Sequence, residues 1–252
     1  MSAALVRAPI GVLVPQWPAP ATVHAAFTLR TGGVSTAGFE SLNVGMHVGD
    51  APDAVAENRR RVRVQLDLPQ EPAWIEQVHG VEVYDIDTTA QSAPRADAVI
   101  ARSAGRICAV QVADCVPVLF AARNGAAVAA AHAGWRGLAA GVLEATVTRL
   151  GIDPGRLMAW LGPAIGPAHF EVGEEVRAAF VEKDRAAAHA FTANARGRWQ
   201  CDLRALARQR LSRLGIAAVF GGGWCTFADR ERFFSHRRDG PCGRMAALVW
   251  LR

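Results

Sequence analysis

The chain has 252 residues, of which 51% are hydrophobic and 20% are charged, and this composition excludes a largely disordered protein. Because no linker, low-complexity tract or repeat divides it, we expect a single domain over residues 1–252. The net charge of +5 comes mainly from scattered arginines, and without a nucleic-acid-binding motif it favours a pocket for an anionic substrate over nucleic acid as a partner.

The first third of the chain predicts two strands, a glycine-rich loop and a helix. The apolar run near the N-terminus is short and broken by prolines, so we expect neither a secretion signal nor a membrane span. A strand from about Val23 leads into a long loop, and a helix follows from about Asp53, whose carboxylate could cap it. The basic run of this helix, at 57–65, should face solvent. The segment AWIEQVHGVEVYDID predicts a strand through His79, with Gly80 at a bulge or a close backbone approach.

The next segment predicts a strand and then a β-hairpin. Asn124-Gly125 lies between two apolar runs and favours a type I′ turn, because both residues tolerate positive φ. With these residues as the loop, Cys115 lies opposite Gly134, two residues beyond His132. Residues two apart on a strand share a face. We therefore expect Cys115 and His132 to be diagonal neighbours, about 7–8 Å apart at the backbone.

The second half of the chain mixes further helices and strands. The segment from Gly137 has helical composition and ends at Gly151, which is typical of a helix terminus. MAWLGPAIGPAHFEVGEEVRAAF predicts a strand, a loop and a helix, and CDLRALARQRLSRLG has leucines at helical spacing. The tail predicts a hairpin around Asp239-Gly240. Without regular βαβ alternation, these elements predict an α+β fold with mixed β-sheets flanked by helices in layers.

A cysteine and a histidine on one face of a hairpin allow several roles. The simplest is a buried cysteine beside a core histidine. A thiolate activated by the imidazole would form a Cys-His dyad of a hydrolase or transferase. If His79 joins them, two imidazoles and one thiolate leave the fourth position of zinc open, as in catalytic sites, and the same donors suit copper. The spacing of the three residues along the chain does not decide between these roles.

Eight short motifs follow one another between about Arg30 and Arg244. They are RTGGVS, SLNVGMHVGD, ENR, QVHG, ADCVPVLF, HAGWRG, LGPAIGP and FFSHRRDGPCGR. In order and content they resemble the laccase-domain family, whose members are called multicopper polyphenol oxidases, purine nucleoside phosphorylases and peptidoglycan-editing factors. The resemblance implies a fold similar to that of deamidating bacterial toxins, which use a Cys-His pair. It also implies a zinc site formed by His79, Cys115 and His132.

The same resemblance implies activity on purine nucleosides: phosphorolysis of adenosine, inosine, guanosine or methylthioadenosine, and deamination of adenosine. Deamination needs a hydroxide, which zinc provides by lowering the pKa of bound water. Phosphorolysis needs a bound phosphate, which arginines hold through paired hydrogen bonds. The expected catalytic residues are Cys115, His132 and Arg136. The expected substrate-binding residues are Asn43, Arg59, Arg237, Arg238 and Arg244, and Arg30 is a further phosphate candidate.

Asp114 precedes the cysteine, and strand alternation would send its carboxylate to the opposite face. We therefore expect it to have a structural role rather than to act as a general base. The chain departs from the family pattern at His236, where a tyrosine is usual, and at Pro241-Cys242. These departures bear on substrate preference and not on the metal site.

Other functions stay open at this point. Copper in place of zinc would make a phenol oxidase, and Cys115 as nucleophile would make an amide hydrolase or peptidoglycan-editing factor. A non-catalytic alternative is a metal-stabilised module that binds cell-wall precursors. The five cysteines include no CxxC pair and predict no disulfide framework. We expect a cytoplasmic protein with purine nucleosides and phosphate as partners, no nucleic-acid or membrane partner, and an oligomeric state in which a monomer is slightly favoured.

Overall fold

The computed structural model describes residues 9–88 and 93–252. The strands in these ranges are β1 (Val12–Leu13), β2 (Val23–Thr28), β3 (Val83–Asp85), β4 (Ala98–Ala101), β5 (Ile107–Val112), β6 (Val116–Ala122), β7 (Val128–Ala133), β8 (Leu157–Leu161), β9 (Glu171–Val172), β10 (Phe191–Ala193), β11 (Trp199–Cys201), β12 (Val219–Gly221) and β13 (Met245–Leu251). The α-helices are α1 (Pro52–Gln65), α2 (Trp135–Ala140), α3 (Val142–Leu150), α4 (Glu174–Val181), α5 (Leu203–Arg213) and α6 (His236–Asp239). Short 3-10 helices span Ala37–Phe39, Pro154–Arg156 and Arg185–Ala190.

The strands form three sheets. The largest has the order β12-β8-β6-β7-β4-β3, the second has the order β1-β2-β13-β5, and the smallest has the order β10-β11-β9. In the six-stranded sheet β6 is antiparallel to both of its neighbours, whereas the outer pairs β12-β8 and β3-β4 are parallel. The mixture of parallel and antiparallel pairs, with helices packed on the sheets, confirms the predicted α+β fold.

Alternate residues of one strand enter two different cores. Along β6, Val118 and Phe120 pack with helices α2 to α5, whereas Leu119 and Ala121 pack against the four-stranded sheet. On the far side of the four-stranded sheet, α1 packs against β13. The layers therefore run from α1 through the four-stranded and six-stranded sheets to the other helices. This arrangement explains why β6 is apolar on both faces.

The predicted hairpin register is confirmed, although its turn differs. β6 and β7 pair antiparallel with Val116 opposite Ala133, as expected. The N–H of Gly125 donates to the carbonyl of Ala122 at 2.9 Å. Gly125 has a φ of 72°, whereas Asn124 does not adopt positive φ. The predicted type I′ turn is therefore wrong. A longer loop that ends in a left-handed glycine takes its place and preserves the same register.

Helix α1 differs from the prediction at its start and along its basic run. Asp53 lies in the first turn and does not cap the helix, which has proline at its first position. Arg59 Nε donates to the carbonyl of Val44, and Arg61 Nη1 donates to the carbonyl of Gly32. Part of the basic run therefore binds neighbouring loops instead of facing solvent.

The helix predicted after the hairpin is divided in two. It begins at Trp135 and is interrupted at Gly141, whose φ of 109° separates α2 from α3. Gly151 ends α3 in the left-handed conformation, as predicted. The interruption is favoured at glycine, because this conformation strains residues that have a Cβ.

The hairpin predicted in the tail is wrong. The residues before Gly240 form the short helix α6, which Ser235 caps by accepting a hydrogen bond from the N–H of Arg238. The strand that follows, β13, pairs instead with the distant strands β2 and β5. Within the described ranges, no helix has the length and hydropathy required to cross a membrane.

Candidate metal centre and adjoining cavity

Three side chains with metal-binding atoms meet where β6 begins and β7 ends. The ligand atoms of His79, Cys115 and His132 all lie within 4.8 Å of one another. The rings of the two histidines have centroids 4.8 Å apart and an interplanar angle of 75°. Cys115 and His132 meet because of the hairpin register, as the sequence predicts. In the part of the chain that the structure describes, this is the one group of three such donors close enough to hold a metal ion.

His79 reaches the site from a turn, and the predicted strand at this position is wrong. Its φ is 60°, and the neighbouring strand β3 begins only at Val83. A left-handed residue cannot continue a strand. The segment before β3 lies against the molecule in an irregular conformation, with two isolated bridges, from Ala73 to Cys108 and from Glu76 to Arg95.

Asp97 lies behind both histidines, and sequence reasoning did not identify it. Its Oδ1 is 2.9 Å from His132 Nδ1 and accepts the N–H of His79 at 2.9 Å. Its Oδ2 accepts the N–H of Gly80 at 2.6 Å and that of Val78 at 3.2 Å. Burial alone would raise the pKa of this carboxyl, but the hydrogen bonds from His132 and Gly80 keep the pKa below its ordinary value. In the sequence, the only indication of this role was that Asp97 is a polar residue directly before the apolar run of β4.

Cys115 and His132 favour opposite charges on each other. Burial alone would raise the pKa of the Cys115 thiol, but the adjacent His132 imidazole lowers that pKa below its ordinary value. Burial would likewise lower the pKa of His132, yet Cys115 and the Asp97 carboxylate raise it. The pocket therefore stabilises the thiolate, which is the form of cysteine that binds metals and acts as a nucleophile.

The space beside the sulfur fits a bound ion. A Cβ at Gly134 would lie 2.9 Å from Cys115 Sγ and 3.0 Å from His79 Cδ2, so only glycine leaves this volume open. Two imidazoles and one thiolate around an open volume fit zinc with three protein ligands. The same donor set also suits copper.

A cavity of about 180 Å³ adjoins Cys115. Its apolar wall consists of Ala113, Trp135, Ile165, Phe170 and Leu203, and its polar lining consists of Asp114, Cys115, His236 and Arg237. An apolar cavity with a few polar groups is typical of sites for small molecules. The candidate metal site therefore lies at the wall of a candidate substrate pocket.

Asp114 lines the same cavity as Cys115, so its predicted placement on the opposite face is wrong. It lies between β5 and β6 with a φ of 93°, and alternation does not apply outside a strand. Its carboxylate accepts hydrogen bonds from Thr226 Oγ1 at 2.6 Å and from the N–H of Arg237 at 2.7 Å. Asp114 thereby joins two loops that surround the cavity.

Two of the predicted arginines lie beside the cavity. The exposed Arg136 has its guanidinium 4.4 Å from the centre of the Trp135 ring, and no hydrogen bond or ion pair joins it to the residues described. Arg237 lines the cavity, and its Nη1 donates to the carbonyl of Glu171 at 2.8 Å. Its guanidinium also lies 5.1 Å from the Phe170 ring.

Arg238 and Asn43 are occupied by contacts within the protein. The Arg238 side chain is 8% exposed and is paired with Asp239, and it also donates to three backbone carbonyls. Asn43 donates to Asp50 at 2.9 Å and accepts the N–H of Arg244 at 2.8 Å. Neither side chain lines the cavity; the structure places both of them in the support of loops.

The remaining arginines also contact loops. Arg59 stacks on Trp74 at 4.2 Å, and burial lowers its pKa to about 10. Arg244 Nη1 donates to the carbonyl of Cys242 at 2.9 Å. Arg30 donates to the carbonyl of Glu40 at 2.8 Å.

His47 is a second residue that sequence reasoning missed. Its side chain is exposed, and its pKa is lowered by partial desolvation and, further, by electrostatic interactions with Arg244, Arg59, His132 and His79. The loop that carries His47 is therefore close enough to the metal donors and to two of the predicted arginines to interact with them electrostatically. The histidine within the motif SLNVGMHVGD was the available indication.

The chain is similar to a family model and to named proteins over most of its length. A family model described as "Multi-copper polyphenol oxidoreductase laccase" matches residues 24–252. A purine nucleoside phosphorylase of Pseudomonas aeruginosa is 55% identical over 95% of this chain and 98% of its own length. The purine nucleoside phosphorylase YfiH of Escherichia coli is 50% identical over the same shares.

Solved structures show the same fold. A protein of Neisseria meningitidis superimposes with a TM-score of 0.93 at 48% identity, over 96% of this chain and 99% of its own. The YlmD protein of Geobacillus stearothermophilus superimposes with a TM-score of 0.87 at 33% identity, over 96% of each chain. The motifs, the fold and these relatives agree: the chain belongs to the multi-copper polyphenol oxidoreductase laccase family.

Proposed function

We propose that the protein is a zinc-dependent purine nucleoside phosphorylase that also deaminates adenosine. The observation that carries the proposal is the convergence of His79, Cys115 and His132 within 4.8 Å at the wall of an apolar cavity. The relatives named purine nucleoside phosphorylase, at 50% and 55% identity, support the substrate class. We propose adenosine, inosine, guanosine and methylthioadenosine as substrates. All five cysteines are free thiols, which supports a location in the reducing cytoplasm.

His79, Cys115 and His132 would hold the zinc ion. When bound, zinc supplies a hydroxide near neutral pH by lowering the pKa of a water ligand to about 7. The protein's own contribution is to orient the donors. Asp97 fixes the His132 ring through Nδ1, and the missing side chain at Gly134 keeps the volume beside the sulfur open.

The cavity would bind the purine base, because its volume of about 180 Å³ is below the roughly 300–1,000 Å³ of pockets that take up a whole drug-sized ligand. Trp135 and Phe170 contribute aromatic side chains on which a purine can pack, and the apolar wall limits the access of water to the reacting atoms. Asp114 keeps the loop that carries Arg237 against this wall. These residues therefore position the substrate beside Cys115 and its zinc.

Arg136 is the best candidate for binding phosphate. Its guanidinium lies on Trp135, a residue of the cavity wall, and its N–H donors have no partner among the residues described. A guanidinium with free donors can form paired hydrogen bonds with a phosphate. Arg237, which lines the cavity, is the next candidate, followed by Arg59 and Arg244, whereas Asn43 and Arg238 would support the site indirectly.

A copper-dependent phenol oxidase is the second candidate function. The description of the matching family model favours it, and two imidazoles with a thiolate can hold copper. However, that description refers to several copper ions, and in residues 9–88 and 93–252 a single group of three donors is present. We therefore place phosphorolysis first.

Purified protein tests the proposal directly. We expect about one zinc per chain, release of free base from inosine only with phosphate, and release of inosine from adenosine without phosphate. Parallel assays use phenols with added copper and peptidoglycan precursors. Phenol oxidation with copper, in the absence of any turnover of nucleosides, would contradict the proposal.

The role of Cys115 is tested separately. If it binds zinc, a chelator abolishes activity and added zinc restores it. If it is instead a nucleophile, the chelator has no effect, while a thiol alkylator abolishes activity without changing the metal content. The second pattern would favour the amide-hydrolase alternative.

A further inference from the structure

Asp97 lies immediately before β4 and contacts the two histidines of the candidate zinc site in different ways. Its side chain is fully buried, and in the described part of the chain the one basic side chain within ion-pair distance is that of His132. A buried carboxylate requires hydrogen bonds to offset its lost hydration. Every hydrogen bond that the structure gives its side chain goes to His132 or to the turn that carries His79.

The contact with His132 fixes the ring. Asp97 Oδ1 lies 2.9 Å from His132 Nδ1, so Nδ1 carries the proton and Nε2 is left to bind a metal ion. The main chain adds a second link, because the carbonyl of Asp97 accepts the N–H of His132 at 2.7 Å. The backbone and the ring of this ligand are therefore held by one residue.

The contact with His79 acts through the backbone. The N–H groups of Val78, His79 and Gly80 all donate to the Asp97 carboxylate, at 3.2, 2.9 and 2.6 Å. Successive N–H groups directed at one anion form a backbone nest. This nest holds His79 at a φ of 60°, a conformation that residues other than glycine seldom adopt. In this conformation the His79 ring reaches the ring of His132.

We propose that Asp97 is a positioning residue that sets two of the three zinc ligands at once, His132 through its ring nitrogen and His79 through its main chain. The inference rests on the proposed zinc site but not on the proposed substrate. Removing the negative charge should weaken both links together. Loss of one such supporting carboxylate lowers metal affinity by about 10–100-fold.

The test compares Asp97→Asn with a matched control, Asp85→Asn. Asp85 is also a buried carboxylate, 4% exposed, but it pairs with Arg102 at 3.0 Å and with Arg149 at 3.4 Å. Zinc is removed from each protein, and zinc affinity is measured by competition with a coloured chelator. Cobalt is then bound in place of zinc, and its visible spectrum reports the ligand geometry.

We expect Asp97→Asn to bind zinc about 10–100-fold more weakly than wild type and to give an altered cobalt spectrum, while Asp85→Asn behaves as wild type. Equal affinity of Asp97→Asn and wild type would overturn the inference. Equal losses in both variants would also overturn it, because they would reflect fold stability alone. If wild type itself fails to bind zinc, the proposed zinc site is wrong. This outcome can be told apart from failure of the Asp97 inference, because wild type and both variants would then all fail to bind zinc.

The wild-type protein provides a test that does not depend on the folding of a variant. In zinc-loaded protein with ¹⁵N-labelled histidine, NMR should show a proton on His132 Nδ1 and the metal on Nε2. The backbone N–H groups of His79 and Gly80 should exchange slowly with solvent even without zinc. A proton on Nε2, or rapid exchange of both N–H groups, contradicts the role of Asp97.

Discussion

At the scale of single residues, the arginines near the site differ in how many of their N–H donors are free. Within the described residues Arg136 makes only a ring contact, with Trp135, whereas Arg238 donates to three carbonyls and to Asp239. Positive charge alone therefore does not identify the phosphate ligand. A guanidinium already bound to the protein has few donors left for a substrate.

Arg136→Gln should raise the apparent KM for phosphate about ten- to hundredfold, because it removes a charge-assisted contact worth roughly 1.5–3 kcal/mol. Deamination of adenosine uses water and no phosphate, so it should change less. Both activities are measured on the same preparation, with a phosphate titration for base release. Arg237→Gln, followed by Arg59→Gln and Arg244→Gln, is assayed in the same way.

Arg213→Gln serves as the control, since Arg213 pairs with Asp184 in the helical layer and lies outside the cavity lining. A parallel fall of both activities in every variant would mean that these arginines hold the fold or the nucleoside. An unchanged phosphate KM in the variants of Arg136, Arg237, Arg59 and Arg244 would move the phosphate site elsewhere, with Arg30 the next residue to test.

The meeting of Cys115 and His132 was predictable because strand register is geometric: one turn fixes every cross-strand pair. Asp97 and His47 were not predictable in this way. Their roles depend on contacts between segments far apart in sequence, and the local pattern around them carries no period. Asp114 was misplaced for a related reason, since its φ of 93° depends on tertiary contacts to Thr226 and Arg237.

At the scale of elements, α5 links the core to the cavity. Asp202 caps it by accepting the N–H groups of Arg204 and Ala205, and its first residue, Leu203, lines the cavity. Asp202→Ala should lower the free energy of unfolding by about 0.5–2 kcal/mol, because two backbone donors lose their acceptor. Urea unfolding measures the change.

Asp202→Asn is the matched control for this cap, because asparagine also caps helices well. It should retain most of the stability that alanine loses. If the asparagine and alanine variants are equally unstable, the loss comes from the charge of Asp202 near Arg204 and not from the cap.

Helix α5 and the central hairpin were predictable, since each has a clear period and defined ends. The secondary structure was predicted wrongly where one sequence pattern is compatible with more than one conformation. The alternation around His79 occurs in an irregular segment, and the break at Gly141 lies inside a stretch of helical composition. In both cases the conformation depends on packing against neighbouring layers, whose residues are far away in the sequence.

At the scale of the whole molecule, the three proposed zinc ligands come from segments that meet only in the folded state. Zinc bound to the folded protein alone stabilises it by about 2.7 kcal/mol at a hundredfold excess over Kd. For a chain of this size we expect a rise in melting temperature of about 5–10 °C. Scanning calorimetry of the zinc-free and zinc-loaded protein measures it. Cys115→Ala should show almost no shift; an equal shift in this variant would place the zinc elsewhere.

The position of β13 has a consequence for how the protein is made. β13 joins β2 to β5, and the N–H of Ala246 bonds Thr28 Oγ1 across 218 residues. On the ribosome, β2 and β5 are therefore synthesised long before β13, the strand that completes the second sheet. Until then β2 and β5 have unpaired edges, which favour aggregation. A nascent chain that stalls shortly before Met245 would thus be a substrate for chaperones and proteases, although all three proposed zinc ligands have already been translated.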